Sequence, residues 1–164
     1  MNAKDKDLND LFLDTLKDIY YAEKQILKAL PKMAKAASSD KLRAAFEKHH
    51  GETEGQVDRL EQIFQLLDKP ARGKTCEAID GIIEEAKKVM EEFKGAGALD
   101  AGLAASAQAV EHYEIARYGT LKTWARELGL SDAATLLDET LKEEIKADRL
   151  LSEIALKGLN KRAA

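Results

Sequence analysis

Residues 99–159 read LDAGLAASAQAVEHYEIARYGTLKTWARELGLSDAATLLDETLKEEIKADRLLSEIALKGL, and they decide the fold. Leu103, Ala107, Val110, Tyr118, Leu121, Ala125 and Leu128 recur at three- and four-residue spacing, the period of one helix face. Gly129 is a natural stop, Ser131 or Asp132 a candidate cap for a second helix, and Leu137, Leu141, Leu151 and Ala155 resume the stripe to about Leu159. The stretch is therefore a long helical hairpin. It carries an anomaly: Glu114 and Glu144 stand on the apolar stripes, each about 15 residues from the turn at Gly129.

The N-terminal half repeats the pattern. A helix is expected from about Leu8 to Ala37, with Leu16, Ile19, Ile26, Leu30 and Met33 on one face. Asp7 or Asn9 is placed to cap it, and Pro31 predicts a kink. Ser38, Ser39 and Asp40 form a turn in which a serine or Asp40 caps the next helix. That helix carries Leu42, Phe46, Val57, Leu60, Phe64 and Leu67 and stops near Lys69-Pro70. Between the hairpins lie a loop over residues 70–76 and a shorter helix from about Glu77 to Lys94, ended by Gly95, Ala96 and Gly97. A connection this long can travel back along a bundle of about 45 Å, which an up-down-up-down arrangement does not need. The expected fold is all-α: a single ferritin-like four-helix bundle over residues 1–164, two antiparallel hairpins joined by a crossover with a short fifth helix.

Composition bounds the function. The 164 residues are 45% hydrophobic and 34% charged, with a net charge of −4 and no basic patch of the kind nucleic acids require. No apolar run is long enough to cross a membrane, and MNAKDKDLND lacks the apolar core of a signal peptide, so the expected compartment is the cytoplasm. A single cysteine, Cys76, excludes an intrachain disulfide and a cysteine-rich metal site.

The acidic residues on the stripes carry the functional reading. Glu23 interrupts Leu16, Ile19, Ile26 and Leu30. On the second helix His49, Glu52 and Gln56 run beside Phe46, Thr53 and Leu60. Taken singly, each glutamate reads as a side chain snorkelling at the stripe's edge, with Arg117, Lys146 and Arg149 available as ion-pair partners. Taken together, they agree in depth. Glu23, Glu52, Glu114 and Glu144 all lie about 22 Å from a hairpin turn, the middle of the bundle. His49, Glu111 and Asp148 form a second layer about one helical turn away. Carboxylates are almost never buried unpaired, and two such layers can hold two divalent ions. His50 and His112 point about 100° away from His49 and Glu111. Tyr20, Tyr21, Tyr113 and Tyr118 lie at the same depth as packing or hydrogen-bonding residues, and Trp124 and Cys76 read as structural.

The stretches DIYYAEKQILKALPKMA, HHGETEGQVDRLEQIF, AQAVEHYEIARYGTLKTWARELG and ETLKEEIKADRLLSEIA resemble the YciE/YciF-type ferritin-like stress-associated proteins, in order and spacing, from about Leu8 to Ala155. The resemblance implies a ferritin-like bundle, commonly a homodimer, with a di-iron-type centre. It points to Glu23, His49, Glu52, Glu111, Glu114, Glu143 or Glu144, and Asp148 as ligands, the stripe favouring Glu144. The wider di-iron group carries Glu-x-x-His on two helices. Here the order is His49-x-x-Glu52, and the last helix offers Lys146 or Asp148 in place of histidine, an oxygen-rich set that also suits manganese. The expected function is a protein of two iron (or manganese) ions acting on dioxygen or peroxide under stress. A second reading, from another class, is a helical dimer without turnover that serves as a structural or interaction module.

Overall fold

The computed structural model describes residues 6–164; residues 1–5, within the stretch read above for a signal peptide, lie outside the described residues. Its helices are α1 (Leu8–Ala36), α2 (Asp40–Leu66), α3 (Glu77–Glu92), α4 (Leu99–Glu127), α5 (Ser131–Ile154) and α6 (Asn160–Ala163). Asp7 caps α1 through a reciprocal capping box with Asp10. The Ser39 side chain caps α2 by accepting from the Leu42 N–H. Two sequence expectations are corrected here. Neither Ser131 nor Asp132 caps α5: Leu130 occupies the cap position and no side chain accepts there. Nor is the last helix regular to Leu159, because Ala155–Leu159 widens into a π-turn before α6. Helix α1 runs through Pro31 to Ala36 as one element.

Four contacts trace the path of the connection between the hairpins. The Asp100 carboxylate, in the first turn of α4, accepts from the Ser38 and Ser39 N–H groups at 2.8 Å each. The start of α4 therefore stands beside the α1–α2 turn, the end that α2 leaves. The chain must return along the bundle to reach it. The Lys74 N–H bonds the Lys17 carbonyl at 3.1 Å, and Tyr21 donates to Asp80 at 2.9 Å, so the connection climbs along α1. Near its top α3 presses on α4: a Cβ on Gly102 would lie 2.6 Å from Val89 Cγ1, a contact glycine alone permits without a shift. This is the crossover of a ferritin-like bundle.

The core is continuous along the four long helices, with Leu16, Ile19, Phe46, Leu60, Ile63, Leu103, Leu121 and Leu137 buried. Tyr20 meets Phe64 edge-on at 5.5 Å between ring centres. The apolar packing is interrupted at mid-height, where Glu23, His49, Thr53, Gln56, Glu111, Glu114, Thr140 and Glu144 are all buried.

Because the two Asp100 bonds fix where the crossover ends, Asp100→Ala is expected to cost about 1–3 kcal/mol, as befits charge-assisted bonds. The measurement is the urea midpoint at pH 7, and an unchanged midpoint would show that α3 and α4 are positioned without them.

Candidate metal centre

Each long helix supplies the site from its middle. Residues i and i+3 lie one above the other on a helix face, so Glu111 and Glu114 both enter the interior from α4. On α2 the same spacing brings His49 inward and leaves Glu52 at the rim, with a quarter of its side chain exposed. Thr53, also buried, turns its hydroxyl back to the His49 carbonyl at 2.8 Å rather than into the site. Helix α5 offers adjacent glutamates, and an adjacent pair must face different ways. Arg59 claims Glu143 through two bonds of 2.9 and 2.6 Å, and Glu144 points into the core.

His49, Glu111, Glu114 and Glu144 each present a ligand-type atom within 4.8 Å of all the others. His49 Nε2 lies 3.2 Å from Glu111 Oε1 and 3.5 Å from Glu144 Oε2, with no hydrogen bond formed to either. Its other nitrogen, Nδ1, stands 3.4 Å from Glu52 Oε2. A proton on Nδ1 donated to that carboxylate leaves the Nε2 lone pair among the acids, the arrangement of a metal-binding histidine backed by a carboxylate. Glu23 lies beside the four; its Oε1 accepts from the Tyr118 hydroxyl and its Oε2 has no partner. Gln56 donates to Glu144 Oε1 and, at 3.1 Å, to Glu143.

Asp148 is placed otherwise than the two-layer reading expects. Gln108 Nε2 donates to it at 3.0 Å and exposed His112 Nε2 lies 3.2 Å away, so it faces the α4–α5 seam and not the interior. Four residues beyond Glu144 is about 40° further round the helix, enough to carry a short aspartate out of the cluster. Of the seven predicted residues, four converge, Glu23 adjoins them, Glu52 backs His49 from the rim, and Asp148 stands outside. Arg117, offered above as an ion-pair partner, instead lies over the Tyr113 ring, 5.2 Å from its centre.

Burial favours the protonated form of these acids, and the His49 charge beside Glu23 and Glu144 only partly opposes it. Burial raises Glu23 to about 8 and Glu111 to about 7, and lifts Glu114 and Glu144 well above the ordinary carboxylate range. Neighbouring carboxylates add to the rise at Glu23 and Glu114. Burial opposes charge on His49, yet Glu52, Glu144 and Glu23 outweigh it and hold the imidazole above its usual value. Glu52 is held down at about 2, chiefly by His49 and then by Lys48.

A cation fits this donor set. Both Glu114 oxygens, Glu111 Oε2, Glu144 Oε2, Glu23 Oε2 and His49 Nε2 are buried without a hydrogen-bond partner. Ligand atoms about 2.0–2.2 Å from an ion lie up to about 4.4 Å apart, so drawing in a 4.8 Å cluster takes only a slight contraction. The ion would replace the protons and satisfy the orphaned atoms together.

Fold and site define a class: a ferritin-like helical bundle with a buried imidazole–carboxylate cluster at mid-height. The chain belongs to the family described as Domain of unknown function (DUF892), which matches residues 7–164. It is 45% identical over 159 residues to Protein YciF of Escherichia coli strain K12, spanning 96% of each chain. The crystal structure of that E. coli stress protein aligns with a TM-score of 0.90 over 95% of this chain and 99% of its own, at 45% identity. YcfI from Rhodopseudomonas palustris aligns at 0.89 with 46% identity, over 93% of this chain and 98% of its own. A Xanthomonas campestris protein, 22% identical, shares the fold at 0.74 over 94% of both chains.

The raised carboxyls give the metal-free protein a characteristic pH response. Unfolded glutamates lose their protons near 4.5, whereas Glu111 and Glu23 keep theirs to about 7 and 8. Over that interval the folded state binds more protons, so its stability falls as pH rises. His49, raised above 6.5, contributes in the same direction, because its stabilisation is lost as pH climbs through the raised value. Glu52 acts in a separate window: its contribution is lost only as pH falls towards about 2. The urea midpoint of chelator-treated protein should therefore drop steadily from pH 5 to pH 8, and Glu114→Gln should flatten that drop. A flat profile in the unmodified chain would contradict the proton assignment.

Proposed function

We propose that the protein is a di-metal carboxylate protein of the stress response, carrying two iron (or manganese) ions and acting on dioxygen or peroxide. The observation that carries the reading is the set of orphaned imidazole and carboxylate atoms in the bundle interior. His49, Glu111, Glu114 and Glu144 would hold one ion. Glu23 with a carboxylate shared from the first set would serve the second. The bound ions would supply one-electron chemistry and open positions for a small oxygen ligand.

The chain's own groups would do the rest. Glu52 keeps the His49 ring in one tautomer, and Gln56 steadies Glu144. The Tyr118 hydroxyl, buried on Glu23, is a proton donor held at the site's edge. The protonated carboxyls would release protons as cations enter.

Among the described residues no helix is long and apolar enough to cross a membrane. A homodimer belongs to this proposal, by analogy with the family. A structural role without turnover, the one suggested for the Rhodopseudomonas relative, is the competing reading.

Metal analysis of untagged protein expressed with added iron and manganese separates the two. About two equivalents per chain are expected, and Glu23→Ala and Glu144→Ala should each lose metal while keeping the helical circular dichroism. Absence of metal from the unmodified protein would sink the proposal. Full metal occupancy with no consumption of peroxide would favour the structural reading.

A further inference from the structure

A cavity of 270 Å³ lies between α1, α3 and α4, and no step above uses it. Its outer rim carries Lys28, Lys32, Glu84 and Lys87, so it opens to solvent, and its inner end reaches His49 and Glu111. Between these ends the wall is apolar, with Ile26, Met33, Ala86, Met90 and Val110 among its residues. The space arises because small residues face one another there: Ala29 on α1, Ala86 on α3 and Ala107 on α4. A dry apolar cavity of about 150 Å³ is enough to take up benzene, so this one has room for a larger guest. Two of its lining residues, His49 and Glu111, each carry a buried polar atom without a hydrogen-bond partner, Nε2 and Oε2.

We infer that this cavity binds a small molecule with an apolar body and a single hydroxyl or hydroperoxyl head, the body lying under α3 and the head against His49 and Glu111. Water and hydrogen peroxide have nothing to gain from methionine, isoleucine and valine walls, whereas an alkyl or aryl group gains from every contact it buries. An anionic head would be desolvated and repelled by the carboxylates at the inner end, and a cation there would take the metal's place, so the head proposed is neutral. As a binding site the cavity stands by itself. As the place where an organic hydroperoxide meets the metal centre, it rests on the peroxide reading proposed above.

The test uses 2-phenylpropan-2-ol as the probe, titrated calorimetrically into the full chain in chelated and metal-loaded forms. Saturable binding with a Kd below about 1 mM is expected. It should weaken at least about tenfold in Ala86→Leu, which fills the cavity from α3 without touching a ligand residue. Ala107→Leu, filling from the opposite wall, should do the same, and thermal melts confirm that each variant folds. Isopropylbenzene, which has the body and no head, should bind more weakly than the alcohol. No saturable binding of the alcohol, or equal affinity in the unmodified and both filled proteins, overturns the inference. Metal content measured on the same samples keeps the two proposals apart: metal retained with no probe binding removes only the cavity site. Probe bound with no metal removes only the metal reading.

Discussion

The rest of the structure depends on four glutamates taken out of water in the middle of the bundle. An ionised carboxylate in a protein interior costs several kcal/mol unless something compensates it, and here no arginine or lysine enters to do so. Compensation comes instead from protons held on the acids, from the raised His49 imidazole, or from a metal. Each neighbouring polar group is arranged around that requirement. Tyr118 and Gln56 donate into the cluster, Glu52 backs His49, and Arg59 draws Glu143 aside so that Glu144 alone turns inward.

Such a cluster is an expensive way to hold four helices together. Leucines at the same positions would pack the core without desolvating charge, and replacing buried ionic groups by apolar ones is often stabilising. The arrangement makes sense as a preorganised cation site, whose binding energy offsets the desolvation. The crossover has a part in this beyond topology. By running along α1 and α4, α3 covers the cavity whose lining reaches His49 and Glu111, and Ala86 is its small residue there.

Much of this was legible in the sequence, for definable reasons. Helical period and turn residues gave five helices within a few residues of their ends, and the long connection implied the crossover. The inward glutamates were visible because the apolar stripe ran past them on both sides. Counting residues from two turns then placed Glu23, Glu114 and Glu144 at one height and Glu111 about one turn away, with Glu52, which the structure leaves at the rim, counted among the first. What periodicity could not supply was azimuth finer than about half a residue step. Asp148 and Glu144 share a stripe on paper, yet the 40° between them sends one to His112 and the other to His49. The cap at Leu130 and the π-turn at Ala155–Leu159 are set by how the hairpin closes and how the C-terminus packs, and neither has a local signature. The cavity escaped notice because three alanines on three helices look like ordinary helix formers until the fold brings them together.

If the buried acids hold protons in place of a metal, an entering cation must expel them. Chelated protein in weakly buffered solution at pH 6.5 is titrated with manganese(II) while the base needed to hold the pH is recorded. Because Glu23, Glu111, Glu114, Glu144 and His49 are all raised, binding should release more than one proton per chain, and Glu114→Gln should release fewer. Manganese binding with no proton release, or release unaltered by that substitution, would contradict the account.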